Sequence, residues 1–303
     1  MKKMKRLIPV FLTLLFMSAP VYADDYQDGL DAGKRGDYKT TLEKWISLAE
    51  QVDTKTQFTL GRMYANGQGV TQDYKKAIKW FSLSAKQGHA ESQNTLGWMY
   101  ANGQGVKQNY KEAVKWYRRA AKQGFAMAQF NLGTRYYQGQ GVPKDPQEAV
   151  KWYRLSAKQG EPEAQSILGF MYEMGRGVKQ DYKEAVKWYR LSAKQGFAKA
   201  QYNLGIGYDV GKGVKRDYKE AVKWYKLAAE QGFAGAQLSL GDMYYQGEGV
   251  PQDYALAHMW FSIAEANGHQ LGRNTRDITV KSMTPDQIAK AQKLAREWME
   301  EHK

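Results

Sequence analysis

The pair Leu-Gly stands at 60–61, 96–97, 132–133, 168–169, 204–205 and 240–241, always 36 residues apart. No other feature limits the fold so tightly, because a fixed period without insertions requires one small unit stacked on copies of itself. The rest of the chain keeps the same phase. A Gly-x-Gly-Val run follows each pair, beginning at Gly67, Gly103, Gly139, Gly175, Gly211 and Gly247. An Asp or Asn comes next (Asp73, Asn109, Asp145, Asp181, Asp217, Asp253), and then a Trp (Trp80, Trp116, Trp152, Trp188, Trp224, Trp260).

Each period reads as two helices. The first carries the small residues and the Leu-Gly pair. The second starts at the Asp or Asn, whose side chain is suited to accept the free N–H groups of a helix start. Asn109 with Glu112, Asp181 with Glu184 and Asp217 with Glu220 have the spacing of a capping box, and Asp145-Pro146 places a proline at the first helical position. Tyr110, Ala113, Val114, Tyr117 and Ala121 recur at helical spacing and predict the buried stripe of the second helix. A glycine inside a helix costs about 0.5–1 kcal/mol relative to alanine. Its repetition at the Leu-Gly site therefore predicts close approach of the two helices of a hairpin. The Gly-x-Gly-Val runs lack the spacing of either phosphate-binding glycine motif and read as turns.

The run A-x-x-Q-x-x-L-G-x-x-Y-x-x-G-x-G-V, followed by D-Y-x-x-A-x-x-W-Y/F and A-x-x-G, resembles the Sel1-like repeat, a relative of the tetratricopeptide repeat. The resemblance implies an all-α fold: a right-handed superhelical solenoid of antiparallel helix pairs, with the first helices on the concave side. Six full copies span 54–89, 90–125, 126–161, 162–197, 198–233 and 234–269. Residues 24–53 read as a shortened leading unit, with Asp37-Tyr38 and Ala49-Glu50-Gln51 in phase and Trp45 one residue late. Residues 270–303 depart from the pattern, with Arg276-Asp277 where Leu-Gly would stand. A helix beginning at Thr284-Pro285-Asp286-Gln287 and carrying Ile288, Ala291, Leu294, Ala295 and Trp298 is expected to cap the exposed apolar end.

Ahead of the repeats, four basic residues between Met1 and Arg6, the apolar run Leu7–Met17 and the small residues around Val21-Tyr22-Ala23 have the order of a secretory leader, cleaved near Ala23. The protein is thus expected in the periplasm or outside the cell. No Cys follows the apolar run for lipid attachment, and none occurs anywhere in the chain. The core must therefore stand without disulfides. The net charge of +14 falls to +10 without Lys2, Lys3, Lys5 and Arg6. That excess suits an anionic partner, while export argues against nucleic acid. An integral membrane protein is not expected, and the chain is expected to be monomeric.

Motifs for catalysis are missing. Of the four His residues (His89, His258, His269 and His302), none forms a spaced metal set, and His258 and His269 read as packing or solvated residues. Some proteins resembling this family have been linked to β-lactam hydrolysis, yet no Ser is followed three positions on by Lys, and K-T-G, G-x-S-x-G and H-E-x-x-H do not occur. The expectation is a non-catalytic scaffold for a protein or peptide partner, without cofactor or metal; the family resemblance implies a role in signalling, envelope upkeep or host interaction without choosing among them. A cell-wall enzyme or accessory factor and an electrostatic binder of an anionic surface are the alternatives.

Where the repeats differ, a partner could be read. Phe58, Asn94, Phe130 and Tyr202 share one first-helix position; Arg62, Trp98, Thr134, Phe170 and Ile206 lie four residues on; Tyr137 and Tyr245 lie three further. Offsets of four and seven place all three sets on one helical face. This face is either an aromatic groove for an extended peptide or helix, or padding between neighbouring repeats. On the second helices, Lys115-Arg118-Lys122, Lys151-Arg154-Lys158 and Lys187-Arg190-Lys194 form basic stripes. Each is either a surface for a polyanion or a solvated outer face, with Glu112, Glu148 and Glu184 offsetting part of the charge.

Overall fold

A computed structural model describes residues 19–50 and 53–302, with side chains from residue 27 onward. The expected leader, residues 1–23, lies outside them apart from Ala19–Ala23, which begin the first helix. Every element among the described residues is helical. The leading hairpin is α1 (Ala19–Lys34) and α2 (Tyr38–Glu50). The repeats supply α3 (Thr54–Asn66) and α4 (Tyr74–Lys86), α5 (Ala90–Asn102) and α6 (Tyr110–Lys122), α7 (Ala126–Gln138) and α8 (Pro146–Lys158), and α9 (Pro162–Met174) and α10 (Tyr182–Lys194). They continue with α11 (Ala198–Val210) and α12 (Tyr218–Glu230), and α13 (Ala234–Gln246) and α14 (Tyr254–Ala266); the tail adds α15 (Gly272–Val280) and α16 (Pro285–Glu301). First helices pack on their own second helices, as α3 on α4 and α11 on α12, and second helices pack on the next first helix, as α4 on α5 and α12 on α13. This is a repeat solenoid. The described residues divide into two compact units, those up to 128 with 140–143, and residues 129–139 with those from 144 onward.

The Leu-Gly pair lies at the centre of each hairpin. All six leucines are fully buried. A Cβ on the adjoining glycine would lie between 2.5 and 3.0 Å from the ring of Phe81, Tyr117, Tyr153, Tyr189, Tyr225 or Phe261. The glycine is therefore a seat for an aromatic ring of the second helix, which is the close approach the sequence predicts. The leading hairpin repeats this arrangement, since a Cβ on Gly29 would meet the Trp45 indole at 2.3 Å. Trp45 is thus not a late counterpart of Trp80. It occupies the ring position of Phe81, and the shortened unit keeps the seat while losing the Gly-x-Gly-Val turn.

Between hairpins the register is set by glutamines. Gln57, Gln93, Gln165, Gln201 and Gln237 are at most 4% exposed, and each donates its amide to a carbonyl near the end of the preceding second helix, Ala49, Ala85, Ala157, Ala193 or Ala229, at 2.8–3.2 Å. Their oxygens accept from the residue 30 positions on, Gln87, Gln123, Gln195, Gln231 or Asn267, at 2.7–2.9 Å. A buried amide left unpaired costs about 1–3 kcal/mol, so a slipped register would lose both bonds at every seam.

The capping boxes are half formed. Asp181 accepts the N–H groups of Lys183 and Glu184 at 2.9 and 3.0 Å, but its own N–H donates to the Tyr172 carbonyl at 2.9 Å. With that donor taken, the Glu184 carboxylate turns outward to Lys187, 3.1 Å away. Asn109 and Asp217 behave alike, donating to Tyr100 and Tyr208 while Glu112 and Glu220 hold Lys115 and Lys223. A complete box forms at α16, between Thr284 and Gln287. That helix buries Ala291 and Ala295 and lays Leu294 and Trp298 against the core of α14, with Trp298 edge-on to Trp260 at 5.7 Å.

Candidate first-helix groove

In the first unit, α3 and α5 border a groove of about 380 Å³. α3 contributes Phe58, Arg62 and Ala65, at the offsets of four and seven that the sequence predicts. α5 contributes Glu91, Thr95 and Trp98, each three positions before the predicted Asn94, Trp98 and Ala101. Trp98 belongs to both stripes, whereas Asn94 does not line the groove and Ala101 is buried. The Trp98 indole is 47% exposed and makes no hydrogen bond or ring contact among the described residues. Phe58 by contrast is packed, 5.6 Å from the Phe81 ring and 5.1 Å from His89. His89 caps α5 through Nδ1, which accepts the Ser92 N–H at 3.3 Å, and burial lowers its pKa and favours the neutral, accepting ring. Arg62 lies over the Phe58 ring, with its guanidinium carbon 6.0 Å from the ring centroid.

Arg62 also lines a second groove of about 330 Å³, shared with Leu30, Tyr38, Trp45 and Met63. Sequence reasoning missed this groove, because α1 and α2 depart from the period that made the other positions comparable. The one available signal was an aromatic, Tyr38, at the conserved-phase start of a second helix: it is 43% exposed.

In the second unit most of the predicted face is taken up by packing. Phe130 lies 5.8 Å from Tyr153, and Tyr202 lies 5.9 Å from Tyr225 and 5.0 Å from Phe233. Thr134 accepts the Tyr153 hydroxyl at 3.1 Å, and burial pushes that phenol up to about 12. Phe170 stacks beneath Arg176, whose guanidinium also donates to the Tyr137 hydroxyl. Ile206 is half-buried beside Tyr189 and Lys212. Tyr245 packs on Tyr254 at 5.4 Å.

This unit holds a set of acids that the sequence reading did not connect. Tyr189 donates to Glu173 at 2.7 Å and Tyr225 to Asp209 at 3.0 Å. Burial, with the carboxylate beside each phenol, moves both hydroxyls well above the usual tyrosine range. Asp242 is pushed up to about 6, first by burial and then by the nearby Asp209 charge. The signal was an exchange at one position, where Glu173 and Asp209 replace Ala65 and Ala101.

The basic stripes separate into two kinds of residue. Lys115, Lys122, Lys151, Lys158, Lys187 and Lys194 are exposed, and Lys115, Lys151 and Lys187 pair with Glu112, Glu148 and Glu184 at 2.8–3.1 Å. The arginines between them are half-buried. Arg154 donates to the Tyr172 hydroxyl at 2.8 Å and Arg190 to Tyr208 at 3.0 Å, each reaching the first helix of the next repeat. The stripe is thus lysine outside and arginine inside, and Arg154 and Arg190 are seam residues instead of surface cations. His258 is buried in α14, where burial lowers its pKa, and shares a 3.4 Å contact with Ser262. Among the described residues no group of three or more His, Asp or Glu side chains is placed to hold a metal, and no helix is long and apolar enough to cross a membrane.

Stacked hairpins with ring seats, amide seams and a lateral groove define an α-solenoid scaffold, a fold suited to protein–protein contact. The Sel1 repeat model matches residues 55–89, 90–125, 126–161, 162–197, 198–233 and 234–269. The chain belongs to the Sel1 repeat family. It is similar to a Sel1 repeat protein from Oxalobacter formigenes, 36% identical over 80% of this chain and 99% of that one, with a TM-score of 0.71. It is also similar to a protective antigen present in uropathogenic Escherichia coli strains and displaying an SLR fold, 31% identical over 92% of this chain and 76% of that one, with a TM-score of 0.41. No functionally curated protein matches the chain.

Proposed function

We propose that this protein is an exported, non-catalytic scaffold that holds an extended peptide or a partner helix along its first helices, with the Phe58–Arg62–Trp98 groove as the anchor. The observation that carries this reading is Trp98. Half of its surface is left open beside a pocket, and Trp and Arg beside a pocket are the side chains that dominate binding energy at interfaces. Arg62 on one wall and Glu91 on the other give the groove opposite charges across its width. A bound segment is therefore oriented, with an acidic residue toward Arg62 and an apolar residue on Trp98. The order of charge and apolar residues ahead of Ala23 supports delivery to the periplasm or beyond.

A random peptide library selected on residues 24–303 tests the groove. Expected is enrichment of sequences pairing an apolar residue with an acidic one, lost when Trp98 and Arg62 are both changed to Ala in a protein whose circular dichroism is unchanged. Equal enrichment by the variant removes the groove. Export is tested by fusing residues 1–30 to alkaline phosphatase, which folds to an active enzyme only outside the cytoplasm. Activity is expected, and its absence sinks the export reading alone.

A further inference from the structure

The two faces of the second unit carry opposite charge. Its second helices α8, α10, α12 and α14 hold ten Lys and Arg against five Asp and Glu. The first helices α7, α9, α11 and α13 hold two against four. The first unit has the same basic outer helices, with nine basic residues against one acidic on α4 and α6. Charge separated in this way orients a molecule in the field of an anionic surface.

The basic face is also apolar at one position. Leu155, Leu191 and Leu227 are 38–46% exposed and recur at the same place in α8, α10 and α12. Lys151 and Lys158 flank Leu155 at four and three residues, and Lys187 and Lys194 flank Leu191 in the same way, so each leucine lies between two lysines on the outer side. The end of α10 is tied to the turn that follows α8: the Gln195 amide donates to the Gly160 carbonyl at 2.8 Å, and the Ser192 hydroxyl to the Pro162 carbonyl at 2.7 Å. Arginine, the side chain that reads a phosphate with fixed geometry, is here turned inward to Tyr172 and Tyr208. What remains outside is lysine, a mobile point charge that extends its head from an apolar stem. Lys158, Lys183 and Lys194 form no ion pair among the described residues.

We propose that the second-helix face of this unit docks on an anionic phospholipid bilayer, the lysines meeting the headgroups and the three leucines entering the boundary beneath them. Charge complementarity and the leucine row together select this occupant. A soluble polyanion would use the lysines and gain nothing from the leucines, while a bilayer uses both. Docked in this way, the unit turns its acidic first helices away from the lipid. The proposal is independent of the peptide groove in the first unit.

The test is cosedimentation with vesicles of phosphatidylcholine alone or mixed with phosphatidylglycerol. Residues 24–303 are used, so that the basic and apolar leader cannot itself hold lipid, and circular dichroism verifies each protein. Expected is binding only to the mixed vesicles, falling with salt. Changing Lys158, Lys183 and Lys194 to Glu lowers the partition constant about a hundredfold, at the usual contribution of a lysine near an anionic membrane. Changing Leu155, Leu191 and Leu227 to Gln lowers it roughly tenfold. Native protein that ignores phosphatidylglycerol overturns the proposal. So does a leucine variant that binds as tightly as the native protein and is displaced fully by polyphosphate, because the face would then serve a soluble polyanion. Should a triple variant lose its helicity, the single changes Leu191→Gln and Lys194→Glu carry the same comparison, with smaller decreases expected.

Discussion

At Gly169 the seat for Tyr189 is closed by a single methyl group. An added Cβ would lie 2.7 Å from two ring carbons. Overpacking of this kind costs about 1–3 kcal/mol, against which the better helix propensity of alanine returns about 0.5–1. Gly169→Ala is expected to destabilise the protein by about 1–2 kcal/mol, read as a lower urea midpoint, and to cost nothing further in a Tyr189→Ala background. This seat was legible in the sequence, since a helix that repeats its own penalty must have a steric reason. The buried glutamines were equally regular and yet silent. Nothing in A-x-x-Q distinguishes an amide that faces water from one that faces a carbonyl of the preceding hairpin. Asp242 yields a second prediction. Its folded pKa of about 6 lies above the ordinary 3.8, so the folded state holds a proton that the unfolded chain has already released. Its contribution is complete below pH 4 and lost as pH rises toward 6; allowing for its partial exposure, the loss is on the order of 1–2 kcal/mol. Urea midpoints of the native protein and Asp242→Asn measured across this range should diverge by that amount. Parallel curves would assign the pH dependence elsewhere.

Helix boundaries were readable because each carries local chemistry: the Asp or Asn at the start, glycine beyond the end, and an apolar stripe at helical spacing. The capping boxes were misread for a reason the sequence hides. The second donor of the box is already satisfied by a tyrosine carbonyl of the first helix, so the glutamate serves a surface ion pair. The expected energetic contrast is sharp. Asp181→Ala should cost about 1 kcal/mol, the usual value of a lost N-cap, while Glu184→Ala should change stability by less than about 0.5 kcal/mol, as exposed pairs do. Thermal unfolding of the two variants distinguishes a half box from a full one. The same blindness hid Arg154 and Arg190, whose tyrosine partners lie 18 residues on, in another hairpin. A pattern confined to one helix cannot reveal a bond that leaves it. Of the residues lining the groove, Phe58, Arg62 and Trp98 stand on the face read from the sequence and Glu91 and Thr95 do not, since the groove side of a helix depends on how its neighbour is placed.

For the whole chain, architecture followed from the period, and its ends were legible as departures from the period. Stability in such a chain is close to a sum of hairpins and seams. Removing residues 198–233 should leave a folded helical protein with a lower unfolding temperature, because Gln237 would meet the Ala193 carbonyl in place of Ala229. Removing residues 285–303 should do more harm although fewer residues are lost. It uncovers Trp260 and the apolar core of α14, and concentration-dependent association is expected in light scattering. Equal behaviour of the two deletions would mean that α16 is not a closing element.

Interchangeable seams also bear on heredity. When hairpins within a unit present the same amide to the predecessor and the same carbonyl to the successor, misaligned recombination within the gene that adds or drops a whole period produces a chain whose joints still match. Lineages can therefore lengthen or shorten this protein in single steps, and substitutions confined to the groove or the outer leucines can then change one copy while the others keep the joints intact.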